Sequence, residues 1–218
     1  VSDGINVLSI SLRGFTTSFS EDDIAIGGFR AAEKGVFVSC GAGNSGPNAS
    51  SLSNEAPWLL TVAASTTDRS IRTTVRLGNE LEFDGEFLFQ PKTFTSTAFP
   101  LVYAGACGKP DAAFCGNGSL DGVSVEGKVV LCEIGGDFSR IEKGENVKRA
   151  GGVGMILMNQ AEQGFSTSAD ANVIPASRVS YVAGLSIKKY INSTTDPKAA
   201  IVFKGTVFAT SPSPAITS

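Results

Sequence analysis

Gly41-Ala42-Gly43-Asn44-Ser45-Gly46 is the stretch of this chain whose residue types and spacing come nearest to chemistry. It matches G-x-G-x-x-G, the pattern by which a strand-to-helix turn brings backbone N–H groups up to a pyrophosphate. That use requires a helix to open where the glycines end. Pro47, Asn48, Ser50, Ser51, Ser53, Asn54 and Pro57 follow instead, which is turn chemistry. The nucleotide reading therefore lacks its helix, and a plain structural turn capped by Asn44 stays open. Histidine is absent from all 218 residues. The general base on which most serine and cysteine hydrolases rely is thus not among them. Cys40, Cys107, Cys115 and Cys132 include no C-x-x-C pair, so neither a zinc nor a dithiol redox centre is indicated, and no metal or cofactor is expected. Sequons begin at Asn48, Asn117 and Asn192, and with the cysteines they lean toward an extracellular protein.

The elements that must hold this loop read as strand and helix in alternation. Residues 7–11 form a short buried strand. Ser20, with Asp23 three positions on, has the pattern of a capping box, and the helix it opens runs through Ile24, Ile26, Phe29 and Ala32 to Gly35. Residues 36–40 are the next strand, and a strand–helix–strand unit favours a parallel pair. An apolar run at 58–63 follows, and 68–79 turns polar and mixed. From 77 to 100 short strand-like pieces carry Phe83, Phe87, Leu88, Phe89, Phe94 and Phe99. After a loop region with Cys107 and Cys115, two further strand–helix–strand units appear, 128–132, 140–150 and 153–158, then 176–180, 182–191 and 199–203. Ser211-Pro212-Ser213-Pro214 reads as extended. An α/β portion thus occupies residues 1–76, with too few strands for a doubly wound sheet of its own, and a compact mixed portion occupies 77–205. Hydrophobic residues at 42% and charged residues at 18% fit a globular chain. Lys plus Arg at 18 against Asp plus Glu at 21 gives −3, without the basic excess of a nucleic-acid binder. No apolar run reaches the ~20 residues of a membrane span.

An ordered series of motifs resembles the plant subtilisin-like serine proteases of the cucumisin type. Val38-Ser39-Cys40-Gly41-Ala42-Gly43-Asn44-Ser45-Gly46-Pro47, followed by Leu52-Ser53-Asn54-Glu55-Ala56-Pro57-Trp58, is similar to their oxyanion-hole segment. Val7-Leu8-Ser9-Ile10-Ser11-Leu12 resembles the strand that lines their substrate cleft, and Ile24-Ala25-Ile26-Gly27-Gly28-Phe29 the helix after it. Gly118-Ser119-Leu120-Asp121, Val125-Glu126-Gly127-Lys128-Val129-Val130-Leu131-Cys132 and Ala150-Gly151-Gly152-Val153-Gly154-Met155-Ile156-Leu157 resemble their inserted protease-associated domain, and Phe203-Lys204-Gly205-Thr206 its exit.

The resemblance implies an α/β fold in which a partial subtilisin-like parallel sheet (1–76) carries an inserted mixed α+β protease-associated domain (77–205), with 206–218 returning to the catalytic domain. It implies that Asn44 donates its side-chain N–H to the oxyanion of an acyl-transfer intermediate, pointing into a cleft beside Ser11 and Leu12. Ser11, Leu12, Arg13 and Gly14 would form one wall, pairing with the substrate backbone as an added strand; Gly41, Ala42 and Gly43 would also bind the substrate, Gly41 and Gly43 letting the backbone come close without a Cβ in the way. The family usually has Gly where Arg13 stands; a charged side chain there would narrow the cleft or favour an acidic neighbour in the substrate, or simply be solvated at a strand end. The family pairs cysteines at the spacing of Cys115 and Cys132; Cys40 is expected as a buried free thiol, and Cys107 has no evident partner. In the family the catalytic Asp and His segments precede the matched part and the Ser segment follows it. With no His and no G-T-S-x turn, these residues are expected to be inactive alone, a piece of a processed secreted protein of the apoplast or cell wall. Its partners would be the remaining protease segments, a peptide or protein substrate, and a second copy through the protease-associated domain, with no nucleic acid and no membrane. A non-catalytic interaction or substrate-filter module is the alternative. Glycan is expected on Asn48, Asn117 or Asn192, the last two being the better acceptors.

Overall fold

The computed structural model describes residues 3–12, 17–43, 50–64 and 68–208. They form two compact units, divided between Asp68 and Arg69.

The first unit holds β1 (Val7–Ile10), α1 (Asp23–Ala32), β2 (Phe37–Gly41) and β3 (Leu60–Val62), with the strands in the order β1-β2-β3 and parallel throughout. The helix is capped by a different residue from the one expected. Asp22 is the N-cap, its carboxylate accepting from the N–H groups of Ile24 at 2.8 Å and Ala25 at 3.2 Å. An anion satisfies orphan donors and the helix dipole together, whereas Ser20 shares a hydrogen bond with Ser18. At the other end Gly35, at φ +77°, reverses the chain so that the Val36 N–H bonds to Ala31 O. Ala31, Val36, Val38 and Cys40 pack under α1 with Leu8, Ile10, Ile24 and Leu59. Trp58 donates from Nε1 to Ala25 O at 2.8 Å and meets Phe19 and Phe29 edge-on. The first strand is not buried on both faces as expected. Its side chains alternate, and Val7 on the face away from α1 is 62% exposed, as Phe37, Leu60 and Val62 are exposed farther along the sheet.

The second unit is a closed barrel of seven strands around which two helices are wound. It runs β4 (Arg69–Leu77), β5 (Glu82–Glu86), β6 (Phe99–Tyr103), β7 (Val129–Glu133), α2 (Arg140–Arg149), β8 (Gly154–Met158), β9 (Ala176–Val179), α3 (Tyr181–Ser193) and β10 (Lys198–Phe208). The order is β10-β4-β5-β9-β8-β7-β6, closed by β6 against β10. Strands β6 to β9 are parallel and the remaining pairs antiparallel. The division expected after residue 76 therefore lies earlier, and the end expected at 205 lies later. The reason is one long pairing, from Ala199 opposite Leu77 to Phe208 opposite Arg69, which commits 69–76 and 206–208 to the barrel. The polar look of 68–79 conceals β4 because its buried threonines bond to other strands of the barrel: Thr73 Oγ1 to Ser177 Oγ of β9 at 2.7 Å, and Thr74 Oγ1 to Asp84 Oδ1 of β5 at 2.8 Å.

Strand β7 is buried on both faces, as expected of a parallel strand covered on both sides. Val129 and Leu131 join the cluster of Ile156, Met158, Ile187 and Ile201, while Val130 and Cys132 join that of Met155, Leu157, Val147 and Cys115. Cys115 and Cys132 are disulfide-bonded, with Cα atoms 5.7 Å apart, which ties the loop after β6 to the end of β7. Ser139 and Glu142 form a reciprocal capping box at the start of α2. Lys143, one residue on, is wholly buried and donates from Nζ to Phe114 O at 2.8 Å and Gly135 O at 2.7 Å, facing the rings of Phe114 and Phe138.

Loss of hydration lowers the Lys143 pKa from the ordinary 10.5 to about 8, against the attraction of Glu142 and Asp111. The unfolded chain therefore binds more protons than the folded one between pH 8 and 10.5, so this residue makes stability rise with pH across that window. Relative to a Lys143→Met chain, the wild type should gain stability with a slope of at most about 1.4 kcal/mol per pH unit there, measured by urea unfolding at a series of pH values; parallel curves would contradict the assignment. Replacing both Cys115 and Cys132 by alanine should cost about 3 kcal/mol in the same measurement.

Candidate functional site

Parallel strands deliver their carboxyl ends to one edge of a sheet, and in open α/β sheets that edge is where ligands bind. Here the edge is formed by Ser11 and Leu12 beyond β1 and by Gly41, Ala42 and Gly43 at the end of β2. The register sets Ile10 opposite Cys40, so the two segments leave the sheet side by side. Ser11 and Leu12 are exposed, Leu12 at 67%. Ala42 is buried, its N–H donating to Val62 O and its carbonyl accepting from the Ser53 N–H, both at 3.0 Å. The chain beyond β2 is thereby held between β3 and the segment that follows Ser50, a residue at φ +60°. Gly43 has φ +83°, and a Cβ there would lie 2.9 Å from Ser53 Oγ, so both conformation and space demand glycine. Of the other residues singled out for this site, Arg13, Gly14 and Asn44 lie outside the described residues, as does the sequon residue Asn48.

One residue that sequence reasoning passed over sits at the centre of this edge. Asn54 reads in the sequence as part of a turn-rich stretch and of the segment that resembles the oxyanion-hole region, with no role of its own, yet its Nδ2 donates to Leu12 O at 3.0 Å and to Gly41 O at 2.8 Å, bridging the ends of β1 and β2. It is 4% exposed, with φ +59°. Its own carbonyl accepts from Thr61 Oγ1 on β3. A short polar side chain in the left-handed region is a signal available in the sequence only as a preference of Asn for such positions.

Cys40 is buried and unbonded, as expected. Burial first, and then the Asp22 carboxylate, push its thiol pKa up, the opposite of what a nucleophilic cysteine needs. Cys107 is a free and exposed thiol. In the second unit the carboxyl ends of β6 and β7 bear Tyr103 and Glu133. Glu133 accepts from both Tyr103 and Lys188 of α3, and Gln160 donates to it at 3.0 Å. Burial alone would raise the Glu133 pKa, but the hydrogen bonds from Lys188, Tyr103 and Gln160 bring it below the usual carboxylate range. Each charge in this group has its partner inside the group, so it pins α3 to the barrel. Asn117 and Asn192 both stand exposed in the second unit.

The fit of Gly43 against Ser53 gives a test of the edge itself. Gly43→Ala should destabilise the first unit by about 1–3 kcal/mol, from strain at positive φ and the contact with Ser53. Trp58 is the chain's single tryptophan and lies in that unit, so its fluorescence during urea unfolding reads the change. An unshifted transition would show that the loop leaves β2 by another route.

Comparison with known proteins bears on both units. The PA domain family matches residues 97–187, within the barrel. Subtilisin-like protease SBT1.7 of Arabidopsis thaliana is 43% identical over 217 residues, covering 99% of this chain and 28% of its own length. Subtilisin-like protease SBT1.4 of the same plant is 44% identical over 214 residues, covering 97% and 27%. Among solved structures, a psychrophilic subtilisin-like protease, Apa1, from Pseudoalteromonas sp. AS-11 aligns with 95% of this chain and 56% of its own at 18% identity, with a TM-score of 0.44, too low to carry weight. The chain spans a little over a quarter of the length of the curated relatives it matches. Over nearly its whole length the chain is thus similar to plant subtilisin-like proteases, and residues 97–187 match the PA domain family.

Proposed function

We propose that this chain supplies the substrate cleft and the oxyanion donor of a subtilisin-like serine endopeptidase, together with its PA domain, while the Asp, His and Ser of the triad come from the remainder of the protease. The observation that carries the reading is the juxtaposition, at one sheet edge, of two segments that resemble the cleft walls of plant subtilases: Ser11-Leu12 and Gly41-Ala42-Gly43. A peptide would lie along the first wall as an added strand. The second wall leads directly into Asn44, whose neutral amide can donate to the oxygen that becomes negative as the serine attacks. By the resemblance Arg13 and Gly14, next in sequence, would belong to the first wall, where Arg13 would narrow the cleft or favour an acidic residue in the substrate. Nothing in the 218 residues can act as the histidine base, so proton transfer from the nucleophile belongs to the rest of the enzyme. The disulfide and the exposed Asn117 and Asn192 support a secreted glycoprotein.

The purified chain should neither hydrolyse peptides nor be labelled by a fluorophosphonate. In the full-length protease, Asn44→Ala should lower kcat by about 10²–10³ with little change in KM, the size of effect known for loss of such a donor in a subtilisin. Stoichiometric labelling of the isolated chain, or an Asn44→Ala protease with wild-type kcat, would overturn the reading.

A further inference from the structure

We propose that Asn54 is a positioning residue of the peptide-cleaving site, whose carboxamide holds the two cleft walls at a set separation and thereby governs which substrate side chain the cleft accepts beside the scissile bond. The inference rests on the reading of this edge as a protease cleft and adds a residue that does not itself touch the substrate.

Both protons of Nδ2 are used, one on Leu12 O and one on Gly41 O, and these carbonyls belong to opposite walls. Because both neighbours are acceptors, the amide has one orientation only; turned over, Oδ1 would face two carbonyl oxygens. The partners are 42 and 13 residues away in sequence, unlike the bonds a turn asparagine makes two or three residues off. The residue is held in place from beneath. Thr61 Oγ1 donates to Asn54 O and the neighbouring Ser53 N–H donates to Ala42 O, so β3 supports the bridge to β1 and β2. Finally, the bridge is kept at a cost: Oδ1 is buried without a partner among the described residues. A side chain held with an unpaired buried acceptor marks a position where geometry outweighs local stability.

The clamp sets the distance between the carbonyl ends of Leu12 and Gly41, hence the width available to a substrate side chain. Misplacement of such groups by about 1 Å is enough to cost about 10²-fold in rate.

The test uses the full-length protease and a panel of fluorogenic peptides that differ only in the residue before the scissile bond. Fluorophosphonate titration counts competent sites, so that rates are expressed per labelled enzyme. Asn54→Asp keeps the shape but sets a carboxylate against two carbonyls. Asn54→Gly removes the clamp while suiting the left-handed backbone. Both should lower kcat/KM by about tenfold or more per labelled site, and both should compress the ratio between the best and worst peptides by about threefold or more. Unchanged kcat/KM and unchanged ranking would overturn the proposal. So would failure of both variants to label, which would assign Asn54 to folding alone. An Asn44→Ala protease with wild-type kcat would instead overturn the reading of the cleft, and the proposal with it.

Discussion

Where parallel strands end, their last carbonyls leave the sheet ladder and need donors from elsewhere. In the first unit that need is met for Leu12 and Gly41 by a single side chain, Asn54. The rest of the edge follows from this bridge. Asn54 reaches both carbonyls from a segment that lies close against the end of β2, where Gly43, at positive φ, leaves no room for a Cβ beside Ser53. Ser53 then closes the remaining gap by donating to Ala42 O. A sheet of three short strands with an apolar face open to solvent acquires in this way a defined carboxyl edge.

The barrel of the second unit obeys a different constraint. Strands β7, β8 and β9 are buried on both faces, so β7 and β8 are nearly all apolar, and specificity comes from the few polar groups admitted to the interior. Lys143 is one: two carbonyls and two aromatic faces replace its hydration, and the result is an amine that holds its proton less firmly than in water. Thr73 and Ser177 are another, joining β4 to β9 through their hydroxyls. The Tyr103–Glu133–Lys188 group does the same for α3, less deeply buried.

Much of this was legible in the sequence, and for physical reasons. The two strand–helix–strand units after residue 128 have clear apolar periodicity with polar breaks, and they appear where expected as β7–α2–β8 and β9–α3–β10. Resemblance supplied the pairing of Cys115 with Cys132, which periodicity cannot give. What stayed hidden depends on tertiary pairing. Strand β4 looks polar because threonine and arginine dominate it, and only its partner β10 makes it a strand. Asp22 displaces Ser20 as the helix cap because charge at a helix N-terminus outweighs a motif match. Asn54 looks like turn chemistry, since nothing local reveals partners on two different strands.

The central claim is that the edge formed by Ser11-Leu12 and Gly41-Ala42-Gly43 is the cleft of a serine protease. A crystal structure of the full-length protease with a peptidyl boronate tests it most directly, because the boronate forms a tetrahedral adduct with the nucleophilic serine. The inhibitor backbone should pair with residues 11–13, and one boronate oxygen should lie about 2.7–3.1 Å from Asn44 Nδ2. An adduct whose oxygen is held by other donors, with its peptide lying away from both walls, would contradict it.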